Sequence, residues 1–225
     1  MSLPVLYSLR NCPYAMRARL AIYRSKQPIE LRDIVLKNKP PEMLVASPKG
    51  TVPILVLASS KVIDESLEVM LWALNESDPD NLLRKSASPV PDTKQLLPDM
   101  LQLINQFDVE FKTCLEQYKC AKRYHESNLN ECRQACEVYI RNLEQRLTEH
   151  AFIMDEHESL ADIALLPFIR QFARIERQWY LQSDYVHVKQ WLNRYLQSPL
   201  FTKVMAKYPL WNENSEVDVF CGKEQ

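Results

Sequence analysis

The strand-forming signal in this chain is confined to its first third. Up to about residue 75, short apolar runs alternate with helical patterns, and beyond that helical spacing takes over almost completely. "PVLYSL" (4–9) is an apolar run of strand length, and from Pro13 to Ser25 the residues Ala15, Ala18, Ala21 and Ile22 recur at helical spacing. "IELRDI" (29–34) alternates as a strand does, and "NKPPEMLVASPKG" reads as loop and short helix, punctuated by prolines. "TVPILVL" (51–57) and "KVID" (61–64) read as a hairpin, and "ESLEVMLWALNE" as a helix apolar at Leu67, Met70, Leu71 and Leu74. The order is β-α-β-α-β-β-α. "SDPDNLLRKSASPVPD" (77–92), rich in Ser, Pro and Asp, reads as a linker. After it come a long helix over 93–123, another over 127–149, a helix opened by Ser159 and Asp162 at capping-box spacing, and shorter helices over 186–196 and 199–207. The expectation is a small α/β domain over 1–77, a linker over 78–92, and an all-helical domain over 93–225, with every strand of a mixed sheet in the first domain.

Composition removes several function classes. A net charge of −1 gives no general nucleic-acid footprint. The only two glycines, Gly50 and Gly222, are too few for a glycine-rich phosphate loop or a dinucleotide fingerprint. No stretch has the form of a secretory leader, and no apolar run approaches membrane-spanning length. The six cysteines, Cys12, Cys114, Cys120, Cys132, Cys136 and Cys221, do not suggest a disulfide framework in a chain with 46% hydrophobic residues and a core to match. Cys132 and Cys136 share a helix face, with Cys114, Cys120 and His125 nearby, but the spacing matches no common zinc arrangement. No metal is expected, and a reducing cytoplasm fits.

Cys12 stands apart from the other thiols. It lies between the first strand and a helix whose first residue is Pro13, a position where the missing proline N–H costs nothing. That makes Cys12 the N-cap, where unpaired backbone N–H groups favour an anion. A thiol there ionises more readily than a free cysteine, and the thiolate is the reactive form. A second cysteine three residues on would resolve a mixed disulfide internally; Ala15 stands there instead, so a soluble thiol must do it.

Two further stretches bear on the site. Val52 precedes Pro53 at the mouth of a strand; a cis bond there would turn the Val52 backbone outward to pair with an extended peptide, whereas a plain edge-strand proline would bind nothing. In "DES" (64–66) a strand meets a helix. Ser66 can be a plain cap of that helix that binds nothing, or it can also hold a carboxylate with the exposed N–H groups while Glu65 beside it holds an ammonium.

The succession strand–Cys-Pro–helix, Val-Pro at a strand, Glu-Ser at a helix, then a helical domain resembles the glutathione transferases. "YSLRNCPYAMRARL" with "LKNKP", "SPKGTVPIL" and "DES" looks most like their Omega class and its bacterial relatives. The resemblance implies an α/β thioredoxin-like N-terminal domain plus an all-α C-terminal domain, a cis Pro53, glutathione as co-substrate, and a cytoplasmic homodimer. By the same resemblance Cys12 is the catalytic thiol, and Val52 pairs with the tripeptide backbone beside Pro53. Glu65 and Ser66 hold the γ-glutamyl head, Lys39 approaches the glycyl carboxylate, and the Tyr14 ring packs on the ligand. Ser159 and Asp162 carry over as structural residues. The leading expectation is a thiol transferase or reductase acting through a mixed disulfide with glutathione. A second is a conjugating transferase in which Tyr7 or Ser8 activates the glutathione thiol for attack on a small electrophile. A third is a non-catalytic partner-binding scaffold. Phe107, Phe111, Arg170 and Trp179 are candidates for the electrophile side.

Overall fold

The computed structural model describes residues 2–85, 96–212 and 216–221. The chain divides into two compact units, one running to Asp80 and resuming at Ser198, the other spanning Asn81–Gln197.

The first unit is built on a five-stranded mixed sheet in the order β4-β3-β1-β2-β5. The central strand β1 (Val5–Ser8) runs parallel to β2 (Ile29–Asp33), with Leu6 opposite Leu31. On its other side it runs antiparallel to β3 (Ile54–Val56), which pairs with β4 (Val62–Ile63). Helix α1 (Pro13–Ser25) returns the chain from β1 to β2, as parallel pairing requires, and ends at Lys26 in the left-handed conformation (φ 56°). α2 (Pro41–Ala46) precedes β3, and α3 (Ser66–Glu76) follows β4. Every residue of α1 from Ala15 to Ile22 is buried, and α1 packs on α3 and on α10 (Pro199–Val204). The small Ala15, Ala18 and Ala21 side chains let neighbouring elements approach on more than one side.

Two arginines are enclosed with that helix. Arg19 is 0% exposed; its Nε donates to Ser8 Oγ at 2.7 Å and its Nη2 to Asp33 Oδ1 at 2.7 Å. Burial pushes the Asp33 carboxyl up in spite of the guanidinium beside it, and lowers Arg19 in spite of Asp33. The pair therefore fixes geometry across α1, β1 and β2 more than it adds attraction.

The tail departs from the expected all-helical domain over 93–225. From Ser198 onward it belongs to the first unit, and β5 (Val219–Phe220) extends the sheet antiparallel to β2. Phe220 is buried, with the rings of Tyr23 and Tyr208 centred 6.1 and 6.4 Å away, and the Leu31 N–H donates to the Asp218 carbonyl at 2.8 Å. One aromatic side chain and a free edge of β2 thus draw a polar segment into the sheet. The second half of the expected linker, and the expected helix start at 93, lie outside the described residues.

In the second unit α4 (Leu96–Gln106) continues through a π-helical turn, Phe107–Phe111, into α5 (Lys112–Tyr124). The sequence reads this as one uninterrupted helix. The wide turn sets the Phe107 and Phe111 rings side by side at 4.8 Å and brings both against Tyr139 of α6 (Leu129–Glu149). α7 (Leu160–Ile175), α8 (Arg177–Gln182) and α9 (Val186–Leu196) follow, and α8 was not legible as a separate element. Ser159 is the N-cap of α7, in a capping box with Asp162. The Asp162 carboxylate accepts from the backbone N–H groups of Ser159 and Ile153, the Ser159 hydroxyl and Trp191 Nε1, all within 2.7–3.0 Å. Burial raises Asp162 to about 6 against these four donors.

A second polar hub ties α5 and α6 to the α7–α8 junction. Glu176, at the junction of α7 and α8, accepts from Arg133 Nη1 at 2.8 Å and from the Tyr118 hydroxyl at 2.9 Å, while Arg133 stacks on Trp179 at 4.4 Å. Burial acts to raise the Glu176 pKa, but the hydrogen bonds from Arg133 and Tyr118 outweigh it and hold the carboxyl below its usual value.

Two measurements test these placements. Asp33→Ala leaves the Arg19 guanidinium buried without its carboxylate, and a loss of about 3–5 kcal/mol in urea denaturation is expected. A loss under 1 kcal/mol would show that water reaches Arg19. Because folding lowers the Glu176 pKa, its contribution relative to Glu176→Gln is complete above the unfolded value of about 4.3 and disappears as pH falls through the folded value. Denaturation of both proteins at a series of pH values should converge in acid; parallel curves would refute the assignment.

Candidate functional site

The site begins where β1 hands over to α1. The Cys12 N–H donates back to the Leu9 carbonyl at 3.0 Å, closing a turn, and the Cys12 carbonyl accepts the Met16 N–H at 2.9 Å, opening the helix. Cys12 is the N-cap, with extended backbone (φ −74°, ψ 125°) and Pro13 behind it. Its side chain is half-buried against a cluster of Tyr7, Ala15, Ile34, Met43, Val52 and Ile54. Cys12 Sγ lies 3.8 Å from the Val52 carbonyl, and the Val52–Pro53 peptide is cis. The thiol and the strand-edge backbone, forty residues apart in sequence, therefore meet.

The N-terminus of α3 supplies a second group. The N-cap is Glu65, one position before the expected Ser66, and Ser66 is the first helical residue. The Glu65 carboxylate makes no capping bond but accepts from Lys49 Nζ at 2.8 Å. Lys49 also reaches Asp64 Oδ1 at 3.0 Å, and Asp64 Oδ2 accepts the Ser47 hydroxyl at 2.6 Å. Hydrogen bonds to Glu65 and Asp64 raise the Lys49 pKa, and those from Ser47 and Lys49 lower that of Asp64. The two Lys49 contacts lie in solvent, so each holds its partner weakly, whereas the Ser47 hydroxyl is buried. Ser66 is 4% exposed, and its Oγ accepts from Arg17 Nε at 2.9 Å. The Arg17 guanidinium, itself buried, lies 5.2 Å from the centre of the Tyr14 ring.

Lys39 reaches the same loop from the other side. Gly50 has φ +59°, and a Cβ there would sit 2.9 Å from Lys39 Nζ and 3.2 Å from Leu44 Cδ2. Glycine serves both needs, the left-handed backbone and the space for the lysine. The segment 47–53 thus carries Lys49, faces Lys39 through Gly50, and presents Val52 to Cys12.

Sequence reasoning did not single out Arg17 or Lys49. Arg17 read as one of several arginines interspersed in a helix; its signal, available in hindsight, is its place among closely spaced alanines in a helix with no acidic residue in its first turn. Lys49 reads as an ordinary loop lysine until β4 and α3 bring "DES" beside it. Tyr7 and Ser8, the candidates of the conjugating alternative, both lie in β1. Ser8 is 0% exposed beneath Arg19, and the Tyr7 hydroxyl accepts from Arg32 Nη1 at 2.8 Å. Burial raises the Tyr7 pKa, opposed by Arg32, which is stacked 4.3 Å from the Trp211 ring.

In the helical unit Phe107 and Phe111 are buried, Trp179 is stacked on Arg133, and Arg170 is half-buried on α7. Among the described residues, no group of three or more His, Cys, Asp or Glu is placed to hold a metal, and no helix is long and apolar enough to cross a membrane. Burial pushes the Cys114 and Cys136 thiols up, and raises Cys221 to about 12. Cys120 is exposed.

The N-terminal domain model of glutathione S-transferases matches residues 6–81, and the C-terminal domain model matches residues 107–199. The chain is 25% identical over 209 residues to glutathione S-transferase omega-1 of Mus musculus, covering 90% of this chain and 81% of that protein. It is 23% identical over 209 residues to the probable glutathione S-transferase DHAR2, chloroplastic, of Oryza sativa subsp. japonica, covering 91% and 69%. The structure of a glutathione transferase family member from Pseudomonas fluorescens, with two glutathione bound, matches with a TM-score of 0.75 at 18% identity, covering 91% of this chain and 92% of that one. With a thioredoxin-like sheet and a helical unit each matched by its own model of one family, the chain belongs to the glutathione S-transferase superfamily of enzymes.

Proposed function

We propose that this protein is a glutathione-dependent thiol transferase or reductase with Cys12 as its nucleophile. The observation that carries the proposal is the position of Cys12: N-cap of α1, half-buried, with Sγ 3.8 Å from the Val52 carbonyl. Ala15, in the next turn, leaves the thiol without a resolving partner there. The similarity to an omega-1 transferase, at the level of the whole chain, points the same way.

In this reading Ser66 and the first-turn N–H groups of α3 receive the γ-glutamyl carboxylate, where the helix end favours an anion. Glu65 receives the ammonium, exchanging its contact with Lys49 for one with the ligand. Val52 pairs with the cysteinyl backbone, Lys39 approaches the glycyl carboxylate, and the Tyr14 ring lies along the tripeptide. Cys12, as thiolate, attacks the glutathionyl sulfur of a mixed disulfide, forming the Cys12–glutathione disulfide. The other sulfur leaves as a thiolate and takes up a proton. Exchange with a second glutathione thiolate releases Cys12 and glutathione disulfide. The net change is one substrate–glutathione mixed disulfide and one glutathione thiol converted to the substrate thiol and glutathione disulfide, so no other oxidant or reductant enters.

The conjugating alternative would need Tyr7 or Ser8 to activate the thiol. Ser8 is buried under Arg19 and the Tyr7 hydroxyl is committed to Arg32, so neither favours that route.

Two experiments test the proposal. Limited alkylation near neutral pH, read by peptide mass, should modify Cys12 and the exposed Cys120 while Cys114, Cys136 and Cys221 lag, because a thiol kept protonated by burial is a poor nucleophile. Protection of Cys12 under these conditions would remove it as the nucleophile. Cys12→Ser should abolish turnover of a glutathione mixed disulfide, and intact mass should show one glutathione on the oxidised wild type and none on the variant. Should the variant keep its reductase rate, the mechanism is wrong; should the wild type only conjugate an aromatic halide, the alternative replaces it.

A further inference from the structure

We propose that Arg17 is a positioning residue that makes Ser66 a dedicated reader of the ligand's α-carboxylate; the inference rests on the glutathione site described above. The geometry is specific. Arg17 Nε donates to Ser66 Oγ at 2.9 Å, and the two residues are 3% and 4% exposed. A hydroxyl that accepts an N–H on one lone pair cannot direct its own proton at that donor. The proton of Ser66 is therefore turned away from the guanidinium and available to donate, while one of the two lone pairs is already taken. A donor suits a carboxylate and does not suit an ammonium.

The guanidinium also adds charge. An arginine guanidinium is a cation, and burial keeps its field from being screened by water. It stands behind Ser66, which is the first residue of α3 and so lies among unpaired N–H groups of a helix of eleven residues. Serine hydroxyl, helix end and guanidinium all favour negative charge at one point. Glu65, one residue earlier, is largely exposed and provides the opposite sign. The two halves of an α-amino-acid head group are thereby told apart by burial: the carboxylate faces a fixed interior donor, and the ammonium faces a mobile surface acceptor.

Tyr14 completes the arrangement. Its ring lies 5.2 Å from the Arg17 guanidinium, within range of a cation–π contact, so the same arginine is braced from the α1 side while it holds Ser66 on the α3 side. Neither α1 nor α3 alone could fix the hydroxyl. The contact needs both helices in their packed positions, and it makes carboxylate recognition a property of that packing.

The test compares two peptides by calorimetry on the full chain: glutathione, and its analogue with 4-aminobutyrate in place of the γ-glutamyl residue, which lacks only the α-carboxylate. Wild type should prefer glutathione by about tenfold or more, the range of one charge-assisted hydrogen bond. Arg17→Met should lose most of that preference while binding the analogue within about twofold of wild type, because the analogue has no carboxylate for Ser66 to read. Ser66→Ala should do the same, and the double variant should be no worse than either single one, since both act through one hydroxyl. Arg17→Lys, which keeps the charge but not the rigid Nε–H, should retain part of the preference and serves if the methionine variant does not fold. Equal losses for both peptides, full additivity with Ser66→Ala, or unchanged preference in Arg17→Lys would each overturn the assignment of Arg17. Failure of wild type to bind either peptide would instead overturn the glutathione site itself, and this inference with it.

Discussion

The enclosure of helix α1 is the constraint on which the rest of the first unit depends. A helix buried from Ala15 to Ile22 has no solvent-facing side on which to place a charge, yet it carries Arg17 and Arg19. Residues two apart on an α-helix project about 200° from each other. Arg19 accordingly reaches Ser8 and Asp33 on the sheet side, and Arg17 reaches Ser66 on the α3 side. Each guanidinium is satisfied only at one rotation of the helix about its axis. Hydrophobic packing by small alanines would tolerate several rotations; the polar contacts select one. With the rotation fixed, the N-terminus of α1 is fixed too, and Cys12 is delivered to the Val52 carbonyl.

The segment 47–53 meets this helix with a different kind of rigidity. Its backbone is set by the left-handed Gly50 and the cis Val52–Pro53 peptide, and its outer side chains by contacts in solvent. Lys49 bridges Asp64 and Glu65 at half-exposed positions, where an ion pair is worth little. Exchange of the Lys49 contact for another cation at Glu65 therefore costs little. The side chains of Ser66 and Arg17 are buried and make no such exchange. Backbone and interior donors are fixed in advance, while the surface carboxylate and its lysine can adapt.

Much of this was legible in the sequence, and the exceptions have common causes. α1 runs from Pro13 to Ser25 as the alanine spacing indicates, and α9 from Val186 to Leu196, because local periodicity suffices to mark a helix of this length. The strands are shorter than their apolar runs, since pairing ends where a partner strand ends and not where hydrophobicity does. β5 was missed because two residues in a polar tail carry no period; only the open edge of β2 and the pocket for Phe220 make a strand of them. The π-helical turn escaped because one extra residue in a turn leaves a chain of apolar positions looking continuous. Cys12, Val52, Pro53, Glu65 and Ser66 could be named from motif order, since each sits at the junction of two elements. Arg17 and Lys49 could not, because their partners lie 49 and 16 residues away and are chosen by tertiary packing alone.

Burial also orders the proposed site by function. Cys12, the proposed nucleophile, is partly exposed, which leaves it open to a second substrate, and apolar side chains wall it on one side. The proposed carboxylate contact lies on interior atoms, where a hydrogen bond is stronger and a missing partner more costly. The proposed ammonium contact lies in solvent, where salt weakens it. Identity of the ligand is then read chiefly at its carboxylate end, while the sulfur end stays open to whatever disulfide the tripeptide carries. In the proposed site this division follows from the fold, which sets the proposed reading group between two packed helices and the proposed reacting group at the rim of one of them.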